Sequence, residues 1–305
     1  MKNDAFYNIY VNGFTEIGFK YEKDPYGTFD GKPATQYADA VVLDLLEINQ
    51  ISKKEISDEA VVIMNVFMTV VHYLSETVET CWKKQNEPSN DSGLKNLDLA
   101  MAYYIGSDQQ FGGTGSLFYH LAEDAGNRFN QANPDGQTKT NANMINFATQ
   151  IKNLTIDTGE CATKPLETYD LNYKLTQQMI QQMYVVIIQE LIHQIKIESN
   201  MSIELFALAL APQIAACNPS EFDWLMLNLV DNYQPENFNL VIARLQNLYS
   251  CFGVTCDDVG AYQGGFIPKC EDENLLPSKE LVDMYNPISQ INDVRQVNNI
   301  YIFLI

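Results

Sequence analysis

The sequence predicts an all-α fold: a multi-helix bundle of two pseudo-repeated halves, with an irregular N-terminal segment and an extended C-terminal tail. Three observations predict it. Helix-start signals recur, such as Ser57-Asp58-Glu59 and Asn218-Pro219-Ser220-Glu221, where a capping side chain, an early proline and first-turn carboxylates suit the unpaired N–H groups of a helix start. From Ser57 to Trp82 apolar residues occupy almost every side of the helix, the mark of a central, buried element. A unit of a long helix followed by a short one then recurs, over 60–105 and again over 177–212.

Taken in order, residues 1–56 read as an irregular cover segment with turns at Asp24-Pro25 and Asp30-Gly31-Lys32-Pro33, then a short helix around Asp39–Glu47. The helical domain spans 57–262, its pseudo-repeats covering about 57–155 and 170–262. After the first long helix, a second begins near Asp91-Ser92, runs through Leu94–Ile105 and ends on Gly106. The loop Gly112-Gly113-Thr114-Gly115 leads into Ser116–Phe129, with Leu117, Leu121 and Ala125 on one face, and a further helix lies near Asn141–Ile151. The longest helix is expected over Leu171–Glu198, and the next is capped by Asn200 or Ser202. Another helix starts at Asn218-Pro219, and a last one runs from Pro235 to Gly253. Residues 263–305 lose periodicity and read as a tail packed on the domain, ending in a strand-like apolar run, 300–305.

Composition narrows the function. The chain has 305 residues, 46% of them hydrophobic, enough for a substantial core and too many for wholesale disorder. A net charge of −20 excludes nucleic acid and anionic membrane surfaces as natural partners; it favours cations, basic partners or plain solubility. The apolar stretch from Ala60 to Leu74 is interrupted by Asn65, Thr69 and His72 and is too short to span a bilayer, so no transmembrane segment is expected.

Six cysteines, Cys81, Cys161, Cys217, Cys251, Cys256 and Cys270, fit a disulfide set whose pairing the sequence leaves open. Their spacing matches no zinc motif. Three glycosylation sequons, at Asn90, Asn153 and Asn200, join them in pointing to an oxidising compartment. The opening MKNDAFYNIY lacks a basic start followed by an apolar core, so a secreted form is expected to have lost a leader. Secreted, periplasmic or cell-surface placement is the resulting expectation.

All three histidines have a carboxylate at helical spacing: His72 with Glu76, His120 with Glu123, and Glu190 with His193. Residues three or four apart share a helix face, so each pair could present imidazole and carboxylate to one ion. Glu-x-x-His pairs hold iron in ferritin-like bundles, and Asp98 and Glu204 could add oxygen ligands from neighbouring helices. Glu190 and His193 lead because Val186, Ile187 and Ile197 lie on their face and imply burial, which a carboxylate tolerates only with a partner. The bland reading stays open beside this one. With 39 acidic residues, such neighbours arise by chance, and any pair could be a surface ion pair or a buried hydrogen bond. Enzyme templates fail: there is no G-x-S-x-G, and the glycine loop at 112–115 lacks the Lys-Ser/Thr of a phosphate-binding loop. Tyr103-Tyr104 reads as core, and Asp257-Asp258 as a capping turn.

Residues 71–81 (VHYLSETVETC), 97–106 (LDLAMAYYIG), 115–123 (GSLFYHLAE), 203–217 (IELFALALAPQIAAC) and 239–260 (NLVIARLQNLYSCFGVTCDDVG) resemble the Fea-type iron-assimilation proteins, secreted or periplasmic proteins of green algae, diatoms and related protists. The Cys251–Cys256 element with Gly253 and the Ala-rich segment ending at Cys217 are its most distinctive parts. The resemblance implies an extracellular role in iron acquisition, induced by scarce iron or low carbon dioxide. It implies no established catalysis and supplies no ligand motif.

The sequence therefore leads to a non-catalytic, secreted iron-binding protein, with hard carboxylate and imidazole donors suited to iron and calcium as a weaker alternative. Its partners would be a metal cation and a cell-surface or cell-wall component. Two alternatives remain: a secreted structural or adhesive protein without a specific metal, and a ferritin-like metal oxidase. The oligomeric state is not legible.

Overall fold

Thirty-three consecutive residues, Pro165–Ile197, form one helix that is buried on every side from Gln182 to Ile192, and the other helices are arranged around it. The computed structural model describes residues 28–29, 32–33, 37–47, 56, 58–83, 93–107, 115–154, 165–231, 237–265, 268 and 270. Expectations for the rest of the N-terminal segment, including the Asp30-Gly31 turn, and for the 112–114 glycines, Pro235 and the 300–305 run fall outside these residues.

The described part is all-α apart from a two-residue antiparallel ladder, β1 (Thr28–Phe29) with β2 (Lys32–Pro33). Helix α1 spans Tyr37–Glu47 and is tied to the core by the Tyr37 hydroxyl, which donates to Leu208 O at 2.9 Å. Helix α2 covers 58–83, π-helical over Val61–Val66 and α-helical over Phe67–Lys83. Its stretch Asp58–Thr80 is long and apolar enough to cross a membrane by composition, but 72% of its apolar 18-residue window is buried inside this fold, so the core uses that apolar surface. No sequence signal marked the π-helical turns.

Helix α3 (Leu94–Ile105) is bounded by Gly93 and Gly106, both at positive φ. Helices α4 (Phe118–Arg128) and α5 (Lys139–Lys152) follow. The expected apolar face of α4 is rotated by one position. Phe118, Ala122, Ala125 and Gly126 face the core, while Leu117 and Leu121 are half-buried. Gly126 can be there because a Cβ would lie 2.7 Å from Thr138, so only glycine lets the two segments approach.

The central helix, α6, is the one that spans Pro165–Ile197; it begins six residues before the expected Leu171, with Pro165 at its first position, where a proline costs the helix nothing. Helix α7 (Asn200–Cys217) is preceded by Ser199 rather than capped by Asn200 or Ser202, and the Ser199 hydroxyl instead donates to Ser202 Oγ at 3.1 Å. Helix α8 (Pro219–Met226) starts as expected, Asn218 Oδ1 accepting the Glu221 N–H. Helix α9 (Phe238–Asn247), a 3-10 turn at Tyr249–Phe252 and the single-turn α10 (Cys256–Val259) complete the bundle. Asp258 and Thr255 form the capping box of α10.

Helices α2, α4, α5, α7, α9 and α10 all pack on α6, which is why its Tyr184–Ile188 run has no polar face. Rings fix the meeting points: Phe67 lies 6.1 Å from Phe118 and 5.2 Å from Tyr184, and Tyr184 lies 5.0 Å from Phe252. Each long helix of the expected repeat packs on the short one after it, α2 on α3 and α6 on α7. Disulfides join Cys217 to Cys251 and Cys256 to Cys270, so the two cysteines of the Cys251–Cys256 element pair outward and not with each other.

Candidate functional site

The crossing of α2, α4 and α6 brings charge into the bundle. Glu190, 2% exposed, accepts from the Arg128 guanidinium at the last turn of α4. A carboxylate so buried is costly when ionised, and desolvation pushes it up to about 7 against the opposing pull of Arg128. Glu59, on α2, adds like charge to Glu190 and is itself raised by burial. On the solvent side Arg128 reaches Asp124 at 4.0 Å, and Asp124 lies 3.6 Å from His120 Nε2. These residues form a relay from the interior to a cleft of about 200 Å³, which is lined by Asp58, Glu59, His120 and Asp124 together with Val62 and Leu121.

On the other side of Glu190 stands His193, one helical turn on. Its Nδ1 shares a hydrogen bond of 2.9 Å with the Tyr262 hydroxyl. Desolvation, with Arg128 adding to it, lowers His193 and favours the neutral imidazole. The segment carrying Tyr262 is held by Gln189 Nε2, which donates to Val259 O at 2.7 Å, and by the Ala261 and Gln263 N–H groups, which donate to Phe129 O and Arg128 O.

The structure distributes the sequence-predicted ligands unevenly. Glu190 and His193 do share a face, but the place a cation would take beside Glu190 is held by the Arg128 guanidinium. His120 turns to Asp124 and not to Glu123. Glu123 is buried, raised by desolvation, and interacts with Tyr119. His72 packs on the Tyr73 ring at 5.1 Å. Glu76 is half-buried on α2, Asp98 is exposed on α3, and Glu204 is half-buried on α7. Among the described residues, no three His, Cys, Asp or Glu side chains form a group able to hold a metal ion. The expected convergence of Asp98 and Glu204 on the histidine pairs is therefore not seen there.

Five members of this site are not expected from the sequence: Arg128, Asp58, Glu59, Asp124 and Tyr262. A signal for the first is present. The chain has three arginines, and this one ends a helix four residues after an acid. No protein-family model, curated protein or solved structure matches the chain, so the site stands on its own geometry.

Proposed function

We propose that this is a non-catalytic, secreted cation-binding protein of the iron-assimilation kind, and that its cation enters the cleft between α2 and α4. The observation that carries this reading is the composition of that cleft. Asp58, Glu59 and Asp124 line it together with His120. They form no ready-made three-ligand group, and what supports the reading is the chemistry they bring to one cleft, hard oxygen donors and an imidazole, which suits iron and, more weakly, calcium. Three acids, Glu59, Asp124 and Glu190, interact with the one guanidinium of Arg128, and Asp58 adds a fourth acid at the cleft, an excess of acidic groups that draws cations from bulk. The open arrangement suits an exchangeable ion held on the way to somewhere else. Two disulfides and exposed Asn153 and Asn200 support an extracellular setting, as does the resemblance carried by the 203–217 and 239–260 segments.

Isothermal titration with ferrous and ferric iron tests it. Wild type should take up about one ion, and Glu59→Gln with Asp124→Asn should weaken uptake by about a hundredfold, a tenfold loss for each ligand removed. Equal affinity in wild type and the double variant would defeat the proposal.

The second reading, a structural or adhesive protein of the cell surface, is favoured by the Arg128–Glu190 pairing, which neutralises internally the carboxylate best placed to bind metal. Cross-linking to a defined surface partner, with no metal uptake, would establish it. The ferritin-like oxidase is the least supported, since Glu190 meets a guanidinium and not a second metal-bridging carboxylate.

A further inference from the structure

The C-terminal loop closed by Cys256–Cys270 borders a second cavity, of about 770 Å³, whose chemistry is unlike that of the cleft. Its size is that of a small-molecule site. In a chain of net charge −20, the described side chains that line it are nearly all neutral. Two are aromatic: Tyr262, half-buried, and behind it the fully buried Phe129, with rings 5.1 Å apart and tilted, so that Tyr262 supplies the exposed ring. Three are primary amides, Asn130, Gln131 and Gln246. The lone acid among them, Asp257, is held by Lys139 Nζ at 2.7 Å, which lowers its carboxyl below the usual range.

The amides are held in place from behind. Asn130 Nδ2 donates to Ala261 O at 2.9 Å, Gln131 Nε2 to Asp257 O at 3.0 Å, and Gln246 Nε2 to Pro268 O at 2.9 Å. Each bond uses one of two amide hydrogens and fixes the plane of the group. Asn130 Oδ1 also accepts from Gln263 Nε2, so Gln131 and Gln246 are the amides that present donor and acceptor together without further ordering cost. The disulfide, the α10 capping box and the His193–Tyr262 hydrogen bond fix the wall opposite.

We propose that this cavity binds a neutral saccharide. Paired donor and acceptor functions on rigid amides match vicinal hydroxyls, and ring carbons match the C–H faces of a sugar. A purely apolar ligand would cover the amide hydrogens and oxygens that the backbone bonds leave over and give them no partner, which is costly. An anionic ligand would meet the protein's own negative field, and a cationic one would find the single carboxylate already paired. The site shares Tyr262 with the Glu190–His193 cluster but no residue with the lining of the proposed cation cleft, and it does not rest on that cleft.

The test uses the full-length, oxidised protein with cellotetraose and chitotetraose as uncharged probes and a galacturonate oligomer as the charged one, read by saturation-transfer NMR and titration calorimetry. At least one uncharged probe should bind, and the galacturonate should not. Gln131→Ala and Gln246→Ala should each weaken binding by about tenfold, the loss of one net hydrogen bond, with the melting temperature held within a few degrees. If the alanine variants do not fold, the isosteric Gln246→Glu should abolish binding by placing an unpaired charge in the site. No saturation transfer from either uncharged probe at millimolar concentration, equal binding of galacturonate, or unchanged affinity in the glutamine variants would each overturn the proposal.

Discussion

The Arg128 guanidinium, a third exposed at the end of α4, donates to the Glu190 carboxylate, 2% exposed in the C-terminal part of α6. One of the chain's three arginines thus sits where helices cross and an acid is buried. Removing one member of such a pair leaves the other charge unsatisfied. Arg128→Met should therefore destabilise the fold by about 3–5 kcal/mol at pH 8. The loss should shrink toward pH 5, where Glu190 takes up a proton. Urea denaturation at the two pH values measures this, and an equal loss at both would show that the guanidinium matters only for packing.

Glu190 also gives stability a definite slope with pH. Its carboxyl is raised from 4.5 to about 7 in the folded state, so the native state holds the proton more tightly than the unfolded chain. The contribution is fully present below pH 4.5 and is lost as pH rises through 7. The change across that window is about 3 kcal/mol, since each tenfold gain in proton affinity contributes about 1.4 kcal/mol. Glu123 and Glu59, raised in the same direction by burial, add to it; His193, lowered by burial, works against it on the acid side. Glu190→Gln should flatten the wild-type decline between pH 5 and 8. A variant whose stability still tracks wild type across that range would remove Glu190 as its source.

These two residues also show where sequence reading stops. The helices were legible because their signals are local. Gly106 ends α3 at positive φ, Asn218-Pro219 opens α8, and the all-round apolar run from Ser57 to Trp82 had to be central, whereas the start of α3 falls after Gly93 rather than near Asp91-Ser92. Glu190 was legible as a buried acid needing a partner. The partner was not, because Arg128 lies 62 residues earlier on another helix, and only the crossing of α4 over α6 brings them together. The rotated face of α4 had the same origin. Leu117 and Leu121 looked like core by periodicity, but Phe118, Ala122, Ala125 and Gly126 take the contact, and at Gly126 it is the close approach of Thr138, another segment, that requires glycine. The disulfide partners were open for the same reason: pairing depends on where α7 ends relative to the turn after α9.

The two described disulfides should differ in effect. Cys217–Cys251 spans a sequence separation of 34 and joins the end of α7 to the core, whereas Cys256–Cys270 spans 14 and closes a surface loop. Chain entropy gives about 4 kcal/mol for the first and about 3 kcal/mol for the second. Cys217→Ser with Cys251→Ser should lower the melting temperature more than Cys256→Ser with Cys270→Ser, and calorimetry on the oxidised variants compares them directly. The reverse order would mean that the loop, and not α7, limits stability.

Gly260 decides whether the Tyr262 segment can dock at all. It ends α10 at φ +79 and ψ −169, a conformation essentially reserved for glycine. A Cβ there would lie 2.5 Å from Phe129 O and 2.3 Å from Gln131 Nε2. The first neighbour is backbone and cannot swing away, and that same oxygen accepts the Ala261 N–H at 3.1 Å. Gly260→Ala should therefore displace the segment rather than be absorbed, at a cost of about 2 kcal/mol or more. The damage should be local. Hydrogen exchange should speed up at the Ala261 and Gln263 amides, which bond to Phe129 O and Arg128 O, while the amides of α6 between Gln182 and Ile192 keep their protection. Unchanged exchange at Ala261 would show that the segment tolerates the side chain, and that its docking does not depend on this backbone approach.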